Sequence, residues 1–303
     1  MRVPSRVTIV EVGPRDGLQN DPAAVSTADK IEFVDRLTDA GLPVVEIGAF
    51  VSPRWVPAMA DTEAVAQGIR RRPGTRYTAL VPNLRGLERA ERVGLRDVSV
   101  FGAASESFSR HNINQTIGES FARFRSVVER AMASGIRVRG YLSTAFGCPY
   151  EGEVAAARVA ELADELLQMG VYEVAISDTI GVAHPGRVWR VLEAVSRLVP
   201  LTSIALHFHD TRGTGLANVL AGLQAGVTTF DSSCGGLGGC PYAPGASGNL
   251  ATEDLVYMLD GLRVETGVRI DALVDASLFI GPRVSGPLPS RFLRAYLASR
   301  SRG

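Results

Sequence analysis

Eight short apolar runs, each followed by a stretch of helical spacing, constrain this chain more than any other feature. The runs lie at residues 7–12, 44–50, 76–81, 97–103, 137–143, 173–178, 203–209 and 228–233. Helical periodicity recurs between them, at 26–37, 62–71, 84–93, 117–134, 153–169, 185–198 and 213–225. Gly41, Gly94, Gly135, Gly170 and Gly226 stand between a helical stretch and the next run, where a helix ends best on a residue free to turn left-handed. Strands alternating with helices imply a parallel sheet. Eight such units without a GxGxxG fingerprint favour closure over a doubly wound sheet. The expected fold is α/β, one (β/α)8 TIM barrel over residues 1–303. A glycine-rich loop, a helix at about 250–262 and a Pro/Gly-containing tail follow, so additional C-terminal helices are expected.

At 303 residues and 46% apolar content, the chain is long enough for one large core. Its 32 basic and 32 acidic residues balance without a charge run, which argues against nucleic-acid binding. The sequence shows neither a leader pattern nor an apolar stretch of membrane-spanning length, so a cytoplasmic protein without membrane attachment is the expectation. Three cysteines, Cys148, Cys234 and Cys240, are odd in number and lack zinc-site spacing. Lys30 is the one lysine, and it sits in a helical stretch behind Ser26 rather than at a strand end. Schiff-base chemistry on a strand lysine is therefore not expected.

In a barrel of this kind, chemistry gathers at the C-terminal ends of the strands. Arg15 and Asp16 follow the first run, Glu46 lies in the second, Asp178 ends the sixth, and Cys240 and Asn249 follow the eighth. The seventh ends in His207-Phe-His-Asp210. Residues i and i+2 of a strand share a face, so His207 and His209 can offer two nitrogens to one metal ion or pack as core histidines. Arg15 can likewise form a plain ion pair with Asp16 or Glu46.

The segments Val10-Glu-Val-Gly-Pro-Arg-Asp-Gly-Leu-Gln-Asn20, Phe50-Val-Ser-Pro-Arg-Trp-Val-Pro57, Phe101-Gly-Ala-Ala-Ser-Glu106 and Gly147-Cys-Pro-Tyr-Glu-Gly152 occur in this order. Arg139-Gly-Tyr141, Asp178-Thr-Ile-Gly181, His207-Phe-His-Asp210, Gly236-Leu-Gly-Gly-Cys-Pro-Tyr242 and Gly248-Asn-Leu-Ala-Thr-Glu-Asp254 complete the set. The chain thereby resembles the 3-hydroxy-3-methylglutaryl-CoA lyase family over nearly its whole length. The resemblance implies a Mg²⁺ or Mn²⁺ ion held by Asp16, His207, His209 and Asn249, a donor set that suits such ions. It implies an acyl-CoA substrate, retro-Claisen cleavage of (S)-3-hydroxy-3-methylglutaryl-CoA to acetyl-CoA and acetoacetate, and a place in leucine catabolism. Arg15 would stabilise the enolate, Glu46 would orient Arg15, and Cys240 would protonate the enolate carbon. Asn112, Arg139, Tyr141 and Asp178 are candidate substrate or CoA contacts, and Asp178 can equally act by hydrogen bonds to neighbours of the site. Asp16, His207 and a water at the metal remain open as general base. Relatives of this kind are commonly homodimers.

The chain departs from the family pattern at Gly48-Ala49, Ala175 and Cys234, which touch the pocket wall. A lyase for a bulkier 3-hydroxy-3-alkylglutaryl-CoA, a Claisen-type synthase, or a barrel that only binds an acyl-CoA are the alternatives.

Overall fold

The computed structural model describes residues 3–239 and 248–300. Its strands are β1 (Thr8–Glu11), β2 (Val44–Ala49), β3 (Arg76–Leu80), β4 (Asp97–Ala103), β5 (Arg137–Ser143), β6 (Glu173–Asp178), β7 (Ile204–Phe208) and β8 (Thr229–Ser232). They pair in sequence order, all parallel, and β8 returns to β1, so the sheet closes into a barrel. The helices after successive strands are α1 (Thr27–Asp39), α2 (Thr62–Gly68), α3 (Leu84–Arg92), α4 (Glu106–Ile113), α5 (Ile117–Ala133), α6 (Ala156–Met169), α7 (Pro185–Val195) and α8 (Gly215–Ala225). Beyond β8 come α9 (Thr252–Gly261), α10 (Ile270–Ile280) and α11 (Arg291–Arg300), the additional C-terminal helices.

Local chemistry explains the boundaries. Ser26 caps α1 by accepting from the Asp29 N–H, and Thr116 with Glu119 forms a capping box at α5. Gly170 and Gly226 end α6 and α8 at φ 107° and 102°, in the left-handed region. The helix expected at 153–169 begins only at Ala156, because Cys148 and Gly152 exchange backbone hydrogen bonds and hold that stretch in a turn. Helix α2 stops at Gly68, where the Arg70 N–H is drawn to Asp35 at 2.8 Å instead of to a helical carbonyl. Helix α4 has no counterpart in the expected elements. Its sequence, Glu-Ser-Phe-Ser-Arg-His-Asn-Ile, carries no apolar stripe, and it stands on its Ser105 cap and on Phe108 buried beneath it.

The main apolar core lies between the outer faces of the strands and the helix ring, with Ile9, Val45, Val98, Leu142, Ile176 and Phe230 among its strand residues. The barrel interior has a different composition. Val10, Val12 and Val44 form a small separate cluster, and charged groups share the interior above and around them. Arg139, Glu173 and Asp231 are all buried, and Arg139 donates 2.7 Å bonds to both acids. Complete pairing is what makes such a charged interior tolerable. Lys30 is also buried, bound to Asp61 at 2.7 Å between α1 and the start of α2, away from the strand ends.

Candidate active site

β1 runs into a single π-helical turn, Gly13–Gly17. The N–H groups of Arg15, Asp16 and Gly17 all point to the Val12 carbonyl, at 3.1, 2.7 and 3.2 Å. Such turns are rare and concentrate at functional positions. Gly17 is required by close approach, since a Cβ there would lie 2.8 Å from the Leu237 side chain. The turn thereby packs against the start of the glycine loop and presents Arg15 and Asp16 at the barrel mouth.

Arg15 is 4% exposed. Its Nε donates to Glu46 Oε2 at 2.5 Å and its Nη1 to Asp16 Oδ1 at 2.7 Å. Among the described residues, Nη2 donates to none. Glu46 is held in turn by Ser99 Oγ at 2.6 Å and the Tyr141 hydroxyl at 3.3 Å. The Tyr141 ring lies 5.3 Å from the guanidinium carbon. The guanidinium is thus clamped, charged and oriented before any ligand arrives.

The other oxygen of Asp16 faces the two histidines. Oδ2 lies 3.9 Å from Nε2 of both His207 and His209, and the donor atoms of the three residues lie within 4.8 Å of one another. Asn249 reaches the same oxygen, its Nδ2 donating to Asp16 Oδ2 at 2.9 Å and to the Leu237 carbonyl at 3.1 Å. Pairing of His209 with Asn249 across an isolated bridge holds the amide there. Asn249 Oδ1 and His209 Nδ1 are buried without a partner among the described residues. Burial would raise the Asp16 pKa, but the positive Arg15 and the two imidazoles outweigh it and bring it down to about 2. Burial and His207 hold His209 down to about 4, so its ring is neutral at pH 7.

A charged carboxylate and two imidazoles meet in one small space, and the buried, unpartnered oxygen of Asn249 belongs to the amide that touches the same carboxylate, a donor set that fits a divalent ion. Bonds of about 2.1 Å put neighbouring donors about 3 Å apart and opposite ones about 4 Å apart. The 3.9 Å spacings fall within that span.

Behind His207 lies a residue that sequence reasoning missed. Asp231 on β8 stands in register with His207 on β7, and its Oδ2 is 3.2 Å from His207 Nδ1. Arg139 binds both oxygens of Asp231, at 3.0 and 2.7 Å. Burial raises the Asp231 pKa, Arg139 more than offsets it, and the net shift is downward. An acid buried next to Phe230 inside a short strand, Thr-Phe-Asp-Ser, was the available signal.

The structure places the other expected residues as follows. Arg139 is 1% exposed, with its three nitrogens bound to Asp231 and Glu173, so it lies beneath the site rather than open to a ligand. Tyr141 is buried between Arg15, Arg139 and the His207 ring, and its hydroxyl goes to Glu46. Asp178 is fully buried and accepts the N–H groups of Val182 and Ala183 at 2.9 Å each, an anchor for the loop after β6. Asn112 is exposed on α4, outside the buried cluster. Cys240 lies outside the described residues, whereas Cys148 and Cys234 are buried free thiols. Thr144, just past β5, is a β-branched residue at φ 56°, with its N–H bound to Thr179 Oγ1. Backbone strain of this kind collects at functional sites.

A family model described as HMGL-like matches residues 6–280. The chain belongs to the HMGL-like family. Hydroxymethylglutaryl-CoA lyase, mitochondrial, of Rattus norvegicus is 54% identical over 293 residues, spanning 97% of this chain and 90% of that protein. A Pseudomonas aeruginosa relative described as 3-hydroxy-3-isohexenylglutaryl-CoA/hydroxymethylglutaryl-CoA lyase is 52% identical over 298 residues, 98% of this chain and 99% of that one. The crystal structure of hydroxymethylglutaryl-CoA lyase from Pseudomonas aeruginosa superposes with a TM-score of 0.97 at 52% identity, over 99% of this chain and all of the other. HMGL-like membership thus extends across the barrel and the site.

Proposed function

We propose that this chain is a hydroxymethylglutaryl-CoA lyase, a carbon–carbon lyase that cleaves (S)-3-hydroxy-3-methylglutaryl-CoA to acetyl-CoA and acetoacetate. The observation that carries this reading is the meeting of Asp16, His207 and His209 beside a clamped Arg15, in a family member so similar to lyases. Asp16, His207, His209 and the Asn249 oxygen would hold a divalent ion, Mg²⁺ or Mn²⁺. Such an ion supplies Lewis acidity toward the 3-hydroxyl and a fixed point for substrate oxygens.

The residues of the chain do the rest. The 3-hydroxyl gives up its proton to a general base, His207 or a water in the site, the bond between C3 and the thioester α-carbon breaks to leave a ketone at C3, and its electrons pass to the acetyl-CoA fragment as an enolate. Arg15 faces that developing charge with Nη2, its position fixed by Glu46 and Asp16. Asp16, held down to about 2, stays anionic at neutral pH and therefore serves as a ligand in preference to a base. A proton must finally reach the enolate carbon, and Cys240 is the donor that the family resemblance supplies.

Turnover by purified protein, abolished by chelation and restored by Mg²⁺ or Mn²⁺, tests the reading; full turnover without metal would refute it. Cys240→Ala with wild-type kcat would remove the thiol from the mechanism. The Pseudomonas aeruginosa relative supports a second reading, in which bulkier 3-alkyl substituents are accepted. A series of 3-substituted glutaryl-CoA esters compared by kcat/KM separates the two. In solution the chain would pair as a homodimer. No helix among the described residues is long and apolar enough to cross a membrane.

A further inference from the structure

Glu11 occupies a position that the barrel pattern reserves for an apolar side chain. It shares the outward face of β1 with Ile9, a core residue, and is 0% exposed between the sheet and α9. Its Oε1 accepts the N–H groups of Gly13 and Cys234, each at 2.8 Å, and its Oε2 accepts the Thr252 hydroxyl at 2.7 Å. Those three donors belong to three different functional segments. Gly13 opens the turn bearing Arg15 and Asp16. Cys234 begins the turn that leads into the glycine loop. Thr252 opens α9 three residues after Asn249. Even Gly13 is matched to it, since a Cβ at residue 13 would lie 2.6 Å from Glu11 Oε1.

We propose that Glu11 is a positioning residue, one carboxyl that sets the Asp16 turn, the root of the glycine loop and the Asn249 segment in mutual register. The inference rests on the lyase reading above, because the register it explains is that of the ligand set. Burial, with a smaller contribution from Glu253, raises the Glu11 pKa to about 8; in the protonated form Oε1 keeps both N–H groups and the Oε2 hydroxyl turns its hydrogen to Thr252 Oγ1. A glutamine reproduces this arrangement: its oxygen takes the Oε1 place and its amide N–H can donate to the Thr252 hydroxyl.

The test compares Glu11→Gln, Glu11→Ala and Leu162→Ala in the full chain, with Mn²⁺ affinity by calorimetry beside kcat and KM. Leu162 is a buried residue of α6, across the barrel, and its truncation lowers stability without touching these segments. Glu11→Ala should lose about tenfold or more in Mn²⁺ affinity, as when the support of a ligand is removed, and more in kcat than in KM. Glu11→Gln should restore both, and Leu162→Ala should lower the melting temperature with Mn²⁺ affinity intact. Should Glu11→Ala fail to fold, Thr252→Val, which deletes one donor, should still weaken Mn²⁺ binding. Wild-type Mn²⁺ affinity in Glu11→Ala or in a folded Thr252→Val, or failure of Glu11→Gln to rescue, would overturn the proposal. Wild-type protein that binds Mn²⁺ but turns over no acyl-CoA would sink the lyase reading alone.

Discussion

Arg15 donates from Nε to Glu46 and from Nη1 to Asp16, which among the described residues leaves Nη2 as the donor for a ligand. A lysine at that position has one point charge and cannot satisfy Glu46, Asp16 and an enolate oxygen in fixed directions. Arg15→Lys should therefore fold and yet lose about 10²-fold in kcat, the scale of a deleted oxyanion donor. Near-normal kcat would show that charge alone suffices. Asp231 makes a second residue-level case. It accepts from His207 and from Arg139, so it fixes the His207 ring with Nε2 toward Asp16. Asp231→Asn should weaken Mn²⁺ binding by about 10- to 100-fold, as read by calorimetry. Because it also strips Arg139 of one of its two acid partners, the melting temperature should fall as well.

Among the elements, the junction of β1, the Cys234–Gly236 turn, α9 and α10 is held by buried acids. Glu253 accepts twice from the Gly235 N–H and also from Ser277, and burial lifts its pKa to about 7. With Glu11 at about 8, both exceed the ordinary 4.5 of a glutamate, so the folded chain binds more protons than the unfolded one. Stability at this junction is then complete below about pH 4.5 and is lost as pH rises through 7 and 8. His209, held at about 4 against an ordinary 6.5, acts in the opposite sense, but only below about pH 6.5. Between pH 6.5 and 8, metal-free protein should lose stability by up to about 1.4 kcal/mol per pH unit for each responding acid. Denaturant titrations across that window measure it, and Glu11→Gln should flatten the slope.

For the whole molecule, Trp189 on α7 and Leu198 just beyond it leave large apolar groups on the outer ring, 44% and 52% exposed. A homodimer covering such a face should scatter light with about twice the 32.3 kDa mass of one chain. A monomer mass at working concentration would refute this. The barrel itself was legible in the sequence because apolar alternation and glycine caps are local, and each strand run states its own period. His207, His209, Arg15 and Asp16 could be named for the same reason: they end such runs, and a barrel puts those ends on one mouth. Helix α4 was not legible, since it depends on a cap and one buried ring and carries no apolar stripe. Neither were Asp231 behind His207, Arg139 beneath the site, or Glu11 across three segments. Gly13 beside Glu11 aside, their hydrogen-bond partners are 24 to 241 residues away in the chain. What the sequence by itself determined was which residue types stand at which strand ends, because side-chain period and turn chemistry act over a few residues. Only the tertiary structure decided which buried charge faces which, because closure of β8 onto β1 brings together groups that no local pattern relates.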